Sequence, residues 1–141
     1  MLRFLRFVVY LCGFAGFVTN GFAANPLLLR NPAISKGKVA FLYADDIWTA
    51  SREGGEAERL TSIGTVVGGP YFSPDGSRIA YSARIAGNVD VYVMSAEGGV
   101  PRRLTWHPRG NMVSGWSPDG RDLIFASTRN PALLIGRGTR L

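Results

Sequence analysis

Apolar and aromatic residues occur in runs of four to six along most of the chain, and turn-forming residues separate the runs. That pattern predicts short strands and not helices. Tyr71 and Phe72 fall in one such run, Ile79, Ala80 and Tyr81 in a second, Val91, Tyr92 and Val93 in a third, and Leu104 in a fourth. Between the first two lies Ser73-Pro74-Asp75-Gly76. Proline presets φ for a turn, aspartate accepts from nearby backbone N–H groups, and glycine takes the left-handed conformation that closes the hairpin. Glu97-Gly98-Gly99 plays the same part between the third and fourth runs.

The pattern recurs. Asp46-Ile47-Trp48, Glu53-Gly54-Gly55 and Arg59-Leu60-Thr61 each stand 44 positions before Asp90-Val91-Tyr92, Glu97-Gly98-Gly99 and Arg103-Leu104-Thr105. Trp116-Ser117-Pro118-Asp119-Gly120 and Leu123-Ile124-Phe125-Ala126-Ser127 stand 44 positions after their counterparts. A period of this length, holding about four short strands, is the mark of a β-propeller blade. Pro32-Ala33-Ile34-Ser35 matches Pro70 to Ser73 at a spacing of 38, with a shorter turn at Lys36-Gly37. The expected architecture is all-β: an incomplete propeller of about two and a half four-stranded antiparallel blades, over about residues 31–62, 69–107 and 112–141. In the last of these, position 134 should carry the aspartate of the Asp-Val-Tyr element but carries Leu134. Pro131 to Leu141 is expected to supply at most one strand, through Leu133, Leu134 and Ile135, and the departure after Asn130 reads as truncation or a change of frame. A propeller typically closes with about four to eight blades, so two and a half leave apolar faces open. The aspartate of Asp46-Ile47-Trp48 and Asp90-Val91-Tyr92 reads as a turn-side hydrogen-bond acceptor, and Trp48, Tyr81, Tyr92 and Phe125 as core fillers.

The N-terminus has a different character. Arg3 and Arg6 precede an apolar run from Phe7 to Val18, and Gly21-Phe22-Ala23 offers small residues at a cleavage site. Residues 1–23 are expected to be a secretory signal peptide, with 24–141 as the mature propeller segment, periplasmic or secreted. Membrane contact is expected only through that segment if it stays uncleaved. Cys12, the sole cysteine, leaves with it, and Leu11 before it is too large for a lipidation site. The net charge of +6 is spread over scattered arginines with no basic run or stripe, which argues against nucleic acid as a partner. Arg102, Arg103 and Arg109 form at most a local patch.

No catalytic, cofactor-binding or metal-ligating residue is assigned. His107 is the sole histidine and stands in the loop between two blades, without the nucleophile and orienting group that acyl transfer needs. Ser73 and Ser117 precede proline in turns and are expected to bond local backbone. Asp45-Asp46 is an isolated acidic pair, not a loop of alternating ligands, and no glycine-rich phosphate loop is present. No cofactor is expected.

The five repeated segments resemble WD-like propeller repeats of TolB-like periplasmic proteins and tricorn-type proteases, over about residues 31–128. Two features favour the tricorn type. The first blade starts almost directly after the expected signal peptide. The wording Asp45-Asp46-Ile47-Trp48, Arg52-Glu53-Gly54-Gly55-Glu56, Arg59-Leu60-Thr61, Leu104-Thr105-Trp106-His107-Pro108 and Gly115 to Gly120 is similar to the first propeller of secreted tricorn homologues. That resemblance implies a propeller that gates or guides peptides, ahead of a PDZ-containing serine peptidase core that this chain does not contain. Its expected partners are peptides or proteins, including its own C-terminal domains. The alternative is a non-enzymatic TolB-like propeller that binds protein partners.

Overall fold

The computed structural model describes residues 29–128 and the short strand Gly136–Arg137. The expected signal peptide and the expected strand through Leu133 to Ile135 lie outside the described residues. Strands β1 (Arg30–Ile34), β2 (Lys38–Tyr43), β3 (Asp46–Ser51) and β4 (Glu58–Arg59) form one antiparallel sheet in sequence order. β5 (Val66–Phe72), β6 (Arg78–Ile85), β7 (Asn88–Ser95) and β8 (Arg102–Arg103) form the second. β9 (Asn111–Trp116), β10 (Leu123–Ser127) and β11 (Gly136–Arg137) form the third, with β10 in the middle. The described residues hold no helix. The first strands β1, β5 and β9 run side by side, so the sheets fan out from one edge as the blades of an open propeller. The fourth strands are shorter than expected: β8 ends at Arg103, and Leu104 is buried just beyond it.

The turns close as their residues dictate. Ser73 N donates to Arg78 O and Gly76 N to Ser73 O, with Gly76 at φ 76°. Asp75 Oδ1 accepts from Ser73 Oγ and from Ser77 N, which holds its carboxyl down at about 2. Ser117, Asp119 and Arg121 repeat this arrangement. Successive turns also stack. A Cβ on Gly120 would stand 3.3 Å from Pro74 Cδ, and one on Gly76 would stand 3.2 Å from Ser35 Cβ. Arg78 spans the second and third blades, donating to Gly120 O at 3.0 Å with its guanidinium 4.8 Å from the centre of the Trp116 ring.

Alternation along the strands puts the two faces of the middle sheet into two cores. Ile79, Tyr81, Ala83, Tyr92 and Met94 pack on Ala40, Leu42 and Ile47 of the first sheet. Ala80, Val91 and Val93 pack on Val113, Leu123 and Phe125 of the third. Tyr81 and Tyr92 face each other across β6 and β7 with ring centres 5.6 Å apart, and burial raises the pKa of both. A sheet covered on both sides has no polar face to show, and β6 is buried continuously from Ile79 to Ala83. β10, by contrast, alternates buried and exposed, leaving Ile124 40% accessible. The first sheet is open on its other side: Val39, Phe41 and Trp48, at the positions of Ile79, Tyr81 and Tyr92, are only half-buried.

This difference sets the cost of truncating equivalent residues. Tyr81→Ala is expected to destabilise the chain by about 3–5 kcal/mol, and Phe41→Ala by about 1 kcal/mol or less. Urea midpoints of the two variants check it, and equal losses would mean that both faces are covered alike.

Candidate functional site

The polar centre of each of the first two sheets is an aspartate. Asp46 starts β3 and is 1% exposed. Its Oδ1 accepts from Thr61 Oγ1 at 2.7 Å, Ile63 N at 2.9 Å and Gly64 N at 3.1 Å, and its Oδ2 accepts from Arg59 Nη2 at 2.5 Å. Arg59 Nε also donates to Thr61 O, and Thr61 Oγ1 accepts from Ile47 N. Burial alone would raise the Asp46 pKa. The donors Thr61, Gly64, Arg59 and Ile63 outweigh it and hold the carboxyl below its ordinary 3.8.

Asp90 repeats the arrangement one blade later. Thr105 Oγ1 donates to Oδ1 at 2.7 Å, and Arg103 Nη2 forms the ion pair with Oδ2. Asn88 Nδ2 donates to Oδ2, and Asn111 Nδ2, from the first strand of the next sheet, reaches Oδ1 at 3.4 Å. The two aspartates are therefore not turn-side acceptors as their sequence position suggested. Each is a buried clamp between the third strand, the segment after the fourth and the entry to the next blade. The sequence signal was the constant spacing of Asp, Arg and Thr in both copies, which a reading of each turn in isolation passes over.

The other weighed residues have local partners. Ser73 Oγ and Ser117 Oγ bond within their turns, accepting from Arg78 N and Asp122 N. His107 is half-buried; its Nδ1 accepts from Arg109 N and its carbonyl from Asn88 Nδ2. Arg103 is drawn to Asp90, so it does not join Arg102 and Arg109 in a patch. Asp45 and Asp46 point to different partners, Arg30 and Arg59. Tyr81, Tyr92 and Phe125 are buried, as core fillers should be, while Trp48 is half-buried. Among the described residues no three His, Cys, Asp or Glu side chains gather as metal ligands would.

One open feature of the surface, among the described residues, is a cleft of about 360 Å³ between the first and second sheets. Arg30, Asn31, Asp45, Thr65 and Arg84 give it a polar wall, and Leu42, Val66 and Val67 an apolar one. It can hold a small polar group beside an apolar one; it presents no nucleophile–base pair.

The clamp makes a pH-dependent prediction. A folded-state pKa below the unfolded one contributes stability above about pH 4, and this is lost as pH falls through the folded value. Asp46→Asn is expected to cost about 2–3 kcal/mol at pH 7. The deficit should shrink at pH 3, where the unfolded parent chain takes up a proton that the folded carboxylate resists. Urea midpoints at the two pH values check this, and a deficit equal at both would assign the loss to packing.

Comparison with known proteins agrees with this geometry. The chain is 38% identical over 105 residues to tricorn protease homolog 1 of Streptomyces coelicolor, covering 74% of this chain and 10% of that one. It superposes on TolB from Acinetobacter baumannii with a TM-score of 0.69 and 27% identity, over 80% of this chain and 32% of that one. It superposes on the tricorn protease with a TM-score of 0.62 and 28% identity, over 70% of this chain and 11% of that one. The chain thus spans about a tenth of the length of the curated tricorn relatives it matches. Residues 26–135 match the family described as the tricorn protease N-terminal beta propeller domain, and the chain belongs to that family.

Proposed function

We propose that this chain is the leading part of the N-terminal propeller of a secreted or periplasmic tricorn-type serine peptidase, with a gating or scaffolding part in proteolysis. The observation that carries this reading is the open face of the first sheet. Val39, Phe41 and Trp48 stand there at the positions whose counterparts in the second sheet, Ile79, Tyr81 and Tyr92, meet a neighbouring blade. A face of that composition is suited to a further blade, as a ring would supply. Its other domains, including the peptidase core, are then its first partners, and peptides on their way to or from that core are its ligands. The higher TM-score with TolB favours a second reading, a propeller that binds protein partners without catalysis.

The coding DNA beyond the Leu141 codon, translated in all three frames, separates the two. Further repeats followed by a PDZ-like module and a catalytic serine are expected; blades that end in a stop codon would favour the binding protein. The 141-residue chain itself is expected to turn over no peptide substrate. Hydrolysis that a serine-directed inhibitor abolishes would overturn that.

A further inference from the structure

The strand that opens the third sheet, β9, is tied to the second sheet along its length. Asn111 Nδ2 reaches Asp90 Oδ1, Val113 N donates to Ser82 Oγ at 2.9 Å, and Trp116 Nε1 donates to the Tyr71 carbonyl at 3.0 Å. Between these polar ties lies an apolar one. Met112 lays its side chain over Gly68 of β5: a Cβ on Gly68 would stand 2.7 Å from Met112 Cε and 3.7 Å from its Sδ. The thioether therefore occupies the room that a side chain at position 68 would need.

The repeat does not require methionine at this place. The second repeat has Gly68 there, 44 positions earlier, and the first has Arg30. Leucine would fill the same space with a similar volume. What methionine adds is a polarisable sulfur open to oxidation. Met112 is 39% exposed, whereas Met94, the other methionine among the described residues, is 3% exposed and packed in the core between the first and second sheets. One thioether thus faces solvent at a contact between sheets, and the other is shielded.

We propose that Met112 is a peroxide-sensitive modification site whose sulfoxide loosens the third sheet from the second. The sulfur lone pair attacks one oxygen of hydrogen peroxide and the O–O bond breaks. The sulfur keeps that oxygen and is oxidised by two electrons, while the peroxide is reduced and leaves as water. The product carries a polar S–O group where an apolar chain lay on Gly68. That group is better hydrated in water than against the β5 backbone, so the side chain turns outward and the contact is lost. The buried aspartate–arginine clamps belong to the first two sheets, so the third depends more on its ties to the second. Two thiols, oxidised to a disulfide on a sulfoxide reductase, remove the oxygen as water and restore the thioether, which makes the change reversible.

In the test, the 141-residue chain is treated with hydrogen peroxide and digested, and oxidation at each methionine is followed by mass spectrometry. Met112 is expected to gain one oxygen at least about tenfold faster than Met94, because susceptibility follows exposure. The oxidised chain should unfold about 4 °C or more below the untreated one. Hydrogen exchange should quicken in β9 and β10 and stay unchanged in β2 and β3. Met112→Leu should keep its midpoint through the same treatment; it retains Met1, Met94 and Cys12, so a loss caused by any of those would persist in it. Met112→Gln, which puts a polar amide where the sulfoxide would stand, should show the lower midpoint without oxidant. Methionine sulfoxide reductases for both epimers, with dithiothreitol, should restore the oxidised parent. Oxidation of Met94 as fast as Met112, an unchanged midpoint once Met112 is fully oxidised, an equal loss in Met112→Leu, or a Met112→Gln chain as stable as the parent would overturn the proposal.

Discussion

Taking a carboxylate out of water costs several kcal/mol unless donors replace its hydration. Asp46 and Asp90 are almost wholly buried, and each is surrounded by such donors. Those donors come from the places a blade has most trouble holding. The fourth strands β4 and β8 are two residues each and pair with β3 and β7 through two residues apiece. A ladder that short is marginal by itself. The arginine of the fourth strand and the threonine after it lie 13 and 15 positions beyond the aspartate in both blades, and both bond to it. The outermost strand is thus fastened by side chains where its backbone ladder is weakest. The same carboxylate accepts from Ile63 and Gly64 in the linker to the second sheet, and Asp90 reaches Asn111 in the third. One buried charge per blade fixes both the end of that blade and the start of the next.

Much of the fold was legible in the sequence because a repeat states each instruction more than once. Ser-Pro-Asp-Gly and Glu-Gly-Gly name their turns by residue chemistry, and the apolar runs between them are the strands. The role of the aspartates was hidden, because a carboxylate beside a turn looks the same whether it serves the turn or a strand fifteen residues away. The burial of the middle sheet on both faces was legible from the count of repeats and not from the composition of its strands. Ile79 to Ser82 and Leu123 to Ala126 are similarly apolar, yet one run is covered on both sides and the other on one. What differs is the neighbour, which strand composition does not encode. The cleft was illegible for a third reason. Arg30, Asp45 and Arg84 read singly as scattered charges, and only the pairing of sheets brings them together.

The third sheet shows what the clamp is worth where the repeat departs from its pattern. Ser127 stands opposite Asn111 across β9 and β10, and Ser127 Oγ and Asn111 Oδ1 are both buried without a hydrogen-bond partner. In the second sheet the residue equivalent to Ser127 is Ala83, which stands opposite Asp90. At position 134, where the repeat would have its aspartate, the sequence has leucine, so the third repeat lacks the carboxylate that gathers an arginine and a threonine in the first two. Each unpaired buried group costs about 1–3 kcal/mol. The partner of β10 on that side is the two-residue strand β11, joined through Ile124 and Phe125. The described part of the chain therefore has a stability gradient. The middle blade is packed on both faces and clamped, the first is clamped with one face open, and the third has no clamp of its own: it is held to the second by Val113, Leu123 and Phe125, by the Arg78 contacts to Trp116 and Gly120, and by the bonds of Asn111, Val113 and Trp116 to Asp90, Ser82 and Tyr71. Opening from the third sheet should precede loss of the other two, because that is where the burial and the buried charge are both least complete.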